Sequence, residues 1–227
     1  MKLSKRLKLF ADFIEKYKKG DVLADIGTDH AYLPCYLVEN KIVSQAYACD
    51  VSKGPYESSL STISLHHLTD QVEALIGDGL DPILDKKVDM IAIAGMGSYL
   101  ISEIIEKNKQ YLHHEHLLFL QPNANTDHLR QYLFDNHFMI IDEGLVKEGY
   151  HIYEMMVVKK GEMVFDEYDI EFGPVLKNEK SDLFQEKWKK QYYVYLNIMK
   201  GLSKNHPRYK ELKHKIEMIE VILNESL

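Results

Sequence analysis

Between residues 22 and 122 the apolar side chains come in short unbroken runs, and the segments between runs carry apolar residues at helical spacing. Runs of this kind predict strands buried on both faces, and their alternation with helices predicts a parallel sheet covered on both sides. The strands are expected at 22–26, 45–49, 72–76, 88–94 and 117–120. The helices are expected at 31–39, from Gly54-Pro55 to about His67, and at 98–108 and 125–136. Ahead of them, residues 4–18 pattern as an amphipathic helix, with Ser4 as its cap and Leu7, Phe10, Ala11 and Ile14 on one face. After the fifth unit the rhythm changes. Residues 138–141 and 151–159 are two strand patterns separated by EGLVKEGY with no helix between them, which predicts a terminal antiparallel hairpin.

Past residue 160 the texture shifts again. Residues 161–174 are acidic and end in Gly173-Pro174, the character of a linker. Trp188, Tyr192, Tyr195, Met199 and Leu202 then repeat at 4-3-4-3. Beyond Asn205-His206-Pro207, Tyr209, Leu212, Ile216, Ile219 and Leu223 repeat at 3-4-3-4. Two heptad-spaced helices joined by a short turn predict an antiparallel coiled-coil hairpin. The expected domains are therefore 1–160, an α/β ligand-binding sheet, and 161–227, a helical coiled coil. A heptad seam closes within one chain or between two, so a monomer or a weak dimer is expected.

Composition removes several classes. Hydrophobic residues make up 45% and charged residues 28%, and no run is long enough for a membrane span. The basic N-terminus does not read as a secretory signal, so a cytoplasmic protein is expected. Cys35 and Cys49, the two cysteines, lack CxxC spacing, so neither a metal site nor a disulfide scaffold is expected. The net charge is -7, but it is unevenly distributed. Residues 1–19 balance at +5, 20–160 at -11 and 187–215 at +8. An acidic body with two basic extremities suits a protein that grips a polyanion at its ends, because binding follows the local field.

The candidate chemistry lies where the strands end. The first closes on Asp25 and Gly27, followed by Thr28-Asp29-His30. A dinucleotide fingerprint needs G-x-G-x-x-G, so that backbone can close on a pyrophosphate. Here Asp29 and Ala31 stand in the turn, and a carboxylate there repels a diphosphate but welcomes a positive centre. S-adenosylmethionine carries a sulfonium, an amino group and an adenosine, and no phosphate. Asp50 closes the second strand, where a carboxylate accepts from ribose hydroxyls. Asp78, between Gly77 and Gly79, closes the third and is placed to accept from an adenine amino group. Gly95-Met96-Gly97 closes the fourth, where the methyl and its acceptor should meet.

LSKRL at 3–7, DIGTDHAYLP at 25–34, Asp50 with Gly54-Pro55, GDGL at 77–80, AGMG at 94–97, QPN at 121–123 and LRQYL at 129–133 together resemble the bacterial tRNA (adenine-22-N1)-methyltransferase family. Ser98 departs from that pattern, where a second glycine is expected after AGMG. The resemblance implies a Rossmann-like class I methyltransferase sheet, S-adenosylmethionine as methyl donor, and tRNA as partner. It also implies that an adenine N1, on the Watson–Crick edge, must be exposed before it reacts. Asp29, then His30, are the candidates to take a proton from the exocyclic amine. Asn123 would hydrogen-bond the base and Tyr32 would stack on it. Lys5, Arg6 and Lys8, with Lys189, Lys190, Lys204, Arg208 and Lys213, would hold the RNA by its phosphates. The rival readings are a methyltransferase for another RNA or a small molecule, and a non-catalytic scaffold that recruits a partner.

Overall fold

The five apolar runs form the parallel core of one seven-stranded sheet in a computed structural model that describes residues 1–223. The strands are β1 (Val22–Ile26), β2 (Gln45–Asp50), β3 (Val72–Ile76), β4 (Met90–Met96), β5 (Leu117–Pro122), β6 (Phe138–Glu148) and β7 (His151–Lys160). Their order across the sheet is β3-β2-β1-β4-β5-β7-β6. β1 to β5 are parallel, whereas β7 runs antiparallel to β5 and β6 antiparallel to β7. The strand order reverses at β1/β4, so the carboxyl ends of β1, β2 and β4 border the crevice where open α/β sheets bind ligands.

Helices α1 (Lys5–Tyr17), α2 (Tyr32–Glu39), α3 (Lys53–Leu65), α4 (Ser98–Lys107) and α5 (Thr126–Asp135) cover the sheet. Ser4 caps α1 by accepting from the Leu7 amide, and Phe10, Ala11 and Ile14 are buried as their spacing predicts. α1 is also anchored to β6. The Tyr17 hydroxyl donates to Asp142 at 2.6 Å, and Lys16 pairs with the same carboxylate at 2.8 Å. β4 starts later and ends later than its apolar run suggests, taking in Gly95 and Met96 through an irregularity in its pairing with β5.

Two expectations are corrected. EGLVKEGY is no loop: β6 continues through it to Glu148, past a bulge at Ile141, and turns at Gly149-Tyr150. Gly144 sits mid-strand, where a Cβ would lie 2.8 Å from the Phe13 ring of α1. The acidic stretch after residue 160 is likewise no plain linker. Asp166 and Asp169 form a reciprocal capping box that starts α6 (Glu167–Phe172).

The chain divides into two compact units, Met1–Val164 and the residues from Phe165 onward. In the second unit, α6, α7 (Leu176–Glu179), α8 (Asp182–Lys200) and α9 (Pro207–Leu223) build a separate small core. α8 and α9 pack as a helical hairpin, with the Tyr192 hydroxyl donating to Glu220 at 3.0 Å. Trp188 spends its ring on Phe172 of α6, edge-on at 4.5 Å, so the seam is wider than two helices. Tyr195, Met199, Leu202 and Tyr209 are only half-buried, and Phe184 and Met218 join the core instead. Residues 224–227, the end of the expected coiled-coil domain, lie outside the described residues.

Candidate active site

β1 and β2 bring the first two acids to adjacent strand tips. Ile26 stands opposite Cys49, and the Cys49 carbonyl accepts from the amides of both Gly27 (2.8 Å) and Thr28 (3.0 Å). Asp25 is buried, and loss of water around its carboxyl raises its pKa from 3.8 to about 6. A hydrogen bond from Thr28 opposes that rise, and the nearby charge of Asp50 adds to it. Asp50 lies one strand across and one residue beyond the pairing. One of its oxygens holds the Ser52 amide at 2.8 Å, which orients the carboxylate at the tip. Burial pushes the thiols of Cys35 and Cys49 up to about 12, so both stay protonated and inert near neutrality.

The β1–α2 turn is tightly specified. Gly27 has φ +77, and a Cβ there would sit 2.0 Å from the Met96 methyl, so the end of β4 lies against the end of β1. Ala31 caps α2 with φ +54, a left-handed conformation that a non-glycine residue holds only where its surroundings impose it. Asp29 and His30 project outward and pair at 3.3 Å, and the His30 ring stacks on Tyr32, with centroids 5.1 Å apart. Asp29 and Tyr32 are exposed beside the turn, and His30 between them is half-buried.

On the other side of the crevice, Gly95 has φ +76 and lies with Gly97 at the surface, leaving backbone open at the tip of β4. The Asn123 amide donates to the Met96 carbonyl at 2.7 Å, and its side chain donates to the Gly95 carbonyl at 2.6 Å. Gln121, wholly buried at the end of β5, joins this group, as does the half-buried Arg6 of α1. Ser98 opens α4, buried, with a hydroxyl that has no hydrogen-bond partner.

The remaining candidates lie apart. Asp78 is exposed at the β3 edge, held by Lys107 at 2.6 Å, and Lys107 also holds Asp81 at 2.8 Å. The open side of Gly79 faces Ile104, 3.3 Å from where a Cβ would be. Lys8 pairs with Asp12 at 2.6 Å and lies over the Tyr36 ring, while the Lys5 amide donates to Glu148. In the second unit Lys190, Lys204, Arg208 and Lys213 are exposed on or between α8 and α9, and Lys189 is half-buried. Sequence alone gave Gln121 no role and grouped Arg6 with the phosphate-gripping lysines. A lone polar glutamine next to last in an otherwise apolar six-residue strand is the signal for the first. No local pattern signals the second, because its partner is 115 residues away.

A doubly wound sheet with an antiparallel seventh strand, acids at the tips of β1 and β2 and open glycines at the tip of β4 is that of a class I methyltransferase. The family model for tRNA (adenine(22)-N(1))-methyltransferase matches residues 23–221, and the chain belongs to that family. It is 34% identical to the tRNA (adenine(22)-N(1))-methyltransferase of Bacillus subtilis, over 99% of this chain and 98% of that one. A Streptococcus pneumoniae protein solved in complex with S-adenosyl-L-methionine superposes with a TM-score of 0.90, at 35% identity over 98% of this chain and all of that one. M. capricolum TrmK, solved with S-adenosyl-homocysteine, superposes with a TM-score of 0.86, at 29% identity over 98% of each chain.

The cofactor fits the residues present. A buried carboxyl whose pKa is raised by loss of water is one whose charged form a cation stabilises. Gly27, lacking a Cβ, lets the Met96 side chain pack against the tip of β1 and brings the ends of β1 and β4 together beside that carboxyl. Among the described residues, no group of three or more His, Cys, Asp or Glu is placed to hold a metal ion, and no helix is long and apolar enough to cross a membrane. A Gly27→Ala substitution should cost about 1–2 kcal/mol of stability from its left-handed backbone. It should also weaken S-adenosylmethionine binding, because the Met96 methyl must move off the β1 tip. Calorimetric titration alongside urea denaturation measures both; unchanged affinity would remove this turn from the cofactor site.

Proposed function

We propose that this chain transfers a methyl group from S-adenosylmethionine to N1 of adenine 22 of tRNA. The observation that carries the reading is the convergence of Asp25, Asp50 and the Gly95–Gly97 backbone at neighbouring strand tips, in a chain of this family. Bound there, the cofactor supplies an electrophilic methyl on a sulfonium. Asp25, with Gly27 and Thr28, faces the cationic end, and Asp50 receives the ribose hydroxyls. Asp78 and Gly79 border the adenine, with Lys107 yielding part of its hold on Asp78.

Adenine N1 has an in-plane lone pair and needs no base before it attacks. The chain therefore contributes mainly alignment and exclusion of water. Gly95, Met96 and Gly97 form the floor on which methyl and acceptor meet. Asn123 hydrogen-bonds the exposed base edge and Tyr32 stacks on the base. As the product cation forms, the Asp29–His30 pair takes the proton released from the exocyclic amine. Residues 1–160 thus form the catalytic domain, and the helical residues from 161 hold the tRNA body. Closure of the α8–α9 seam within one chain fits a monomer, and a tRNA substrate fits a cytoplasmic place of action.

Incubating transcript tRNA with the protein and S-adenosylmethionine should produce a reverse-transcription stop at adenine 22. A stop elsewhere, or none, would overturn the reading. Replacing the exposed Lys204 and Arg208 by glutamine should weaken tRNA binding and flatten its log-log salt dependence by about 0.7–0.9 per lost phosphate contact. Cofactor affinity should not change. An unaltered salt slope would remove the helical unit from recognition.

A further inference from the structure

Gln121 is the one fully buried side-chain amide among the described residues, and all four of its hydrogen-bond contacts are at the acceptor end of the site. Its Oε1 accepts from the Arg6 guanidinium at 2.8 Å and from the Gly95 amide at 3.2 Å. Its Nε2 donates to the Pro122 carbonyl at 2.9 Å and to Asn123 Oδ1 at 3.1 Å. Asn123 Nδ2 then donates to the Gly95 carbonyl at 2.6 Å, which closes a ring through both backbone groups of Gly95. Arg6 stands outside the ring, its guanidinium also lying over the Tyr153 ring at 5.4 Å.

A primary amide has nearly the same shape with its oxygen and nitrogen exchanged, so only its neighbours decide which end points where. Arg6 and the Gly95 amide can face only the oxygen of Gln121, and the Pro122 carbonyl only its nitrogen; the charge-assisted bond from Arg6 is the shortest of the three. That choice puts Nε2 against Asn123, which must answer with Oδ1. A flipped Gln121 would set its oxygen against Asn123 Oδ1, and Asn123 could answer only by giving up its bond to the Gly95 carbonyl and reversing what it offers to a base.

We propose that Arg6 is a positioning residue for the acceptor: acting through Gln121, it is the charged donor that, together with the Gly95 and Pro122 backbone groups, holds the amide polarity of Asn123. The remaining lone pair on Asn123 Oδ1 then accepts from the exocyclic amine of adenine, whereas the flipped amide would suit a base with a carbonyl at that position. The inference rests on the methyl-transfer reading, and it takes Arg6 out of the group of phosphate-binding cations.

Arg6→Ala should lower kcat on tRNA by about 10–100-fold, the scale of a misplaced reacting group, with KM for tRNA and affinity for S-adenosylmethionine close to parental. Arg6→Lys, which can still donate to Gln121, should recover most of that loss. Gln121→Glu keeps a partner for Arg6 but has no donor for Asn123, so it should lose kcat as Arg6→Ala does. In 1H–15N spectra the Asn123 side-chain amide signals should move in Arg6→Ala and Gln121→Glu alike. That readout needs no turnover and judges Arg6 even if the parent chain methylates nothing. Unmoved Asn123 signals would overturn the proposal. So would an Arg6→Ala variant with parental kcat, raised KM and a flatter salt dependence, the behaviour of a phosphate contact.

Discussion

Arg130→Met is expected to destabilise the protein by roughly 3–5 kcal/mol, the usual cost of removing one partner from a buried charged cluster. Arg130, on α5, is completely buried between Glu143 of β6 and Glu154 of β7. Its Nε and one terminal nitrogen donate to the same Glu143 oxygen at 2.9 and 2.7 Å, and that terminal nitrogen also donates to Glu154. Burial alone would favour the neutral guanidine, but the two carboxylates outweigh it and hold the guanidinium charged. Methionine fills similar space and removes the cation that both glutamates contact, leaving two negative charges side by side in a dry interior. The effect should reach the site. Asp142, next to Glu143, holds Lys16 and Tyr17 of α1, and α1 carries Arg6. Urea denaturation of Arg130→Met beside a triple variant with Glu143→Leu and Glu154→Leu gives the check. The triple variant should regain most of the loss or exceed the parent, since apolar replacement of a whole buried cluster is often neutral or stabilising. A loss below about 1 kcal/mol in the single variant would mean that water or backbone rearrangement satisfies the glutamates.

Much of this architecture was legible in the chain because the physics behind it is local. A strand buried on both faces must be apolar nearly throughout, so β1, β2, β4 and β5 announce themselves, and their ends show where polarity resumes; β3, at the sheet edge, is mostly exposed or half-exposed. Asp25 and Asp50 could be read as a pair for the same reason: parallel register puts successive strand ends side by side. What escaped depends on contacts between distant segments. EGLVKEGY looks like a connection between strands until Phe13 is seen packed on Gly144 within β6, and the acidic run after residue 160 looks like a linker until Phe172 is seen against Trp188. Arg6 looks like its lysine neighbours, and only the fold sets it against Gln121. Asp78 has the right place in sequence for an adenine contact, yet Lys107, one turn of chemistry away on α4, already holds it.

Asp25→Asn should move stability and cofactor affinity in opposite directions, and both effects should depend on pH. In the unfolded chain the Asp25 carboxyl ionises near 3.8, and in the folded chain its pKa is raised to about 6. Below 3.8 both states hold the proton, and the group contributes nothing to folding. As pH rises towards 6, the unfolded chain releases the proton while the folded chain keeps it, so stability falls. Above 6 the cost is constant, about 3 kcal/mol for a shift of this size. Asparagine keeps the shape and can still accept from Thr28, but it has no charge to bury. Asp25→Asn should therefore be more stable than the parent at pH 8 by up to about 3 kcal/mol, with the gap shrinking to about 0.5 kcal/mol at pH 4. Binding of S-adenosylmethionine should follow the ionised carboxylate. Parental affinity should rise with pH up to about 6, by close to tenfold per unit well below it, and level off above. The Asp25→Asn variant should bind weakly, without that rise. Denaturation and calorimetry at pH 4, 6 and 8 measure both curves on the same samples. A variant that is less stable than the parent at pH 8, or parental affinity that does not change through pH 6, would show that Asp25 is a structural acid and not the group that receives the cation.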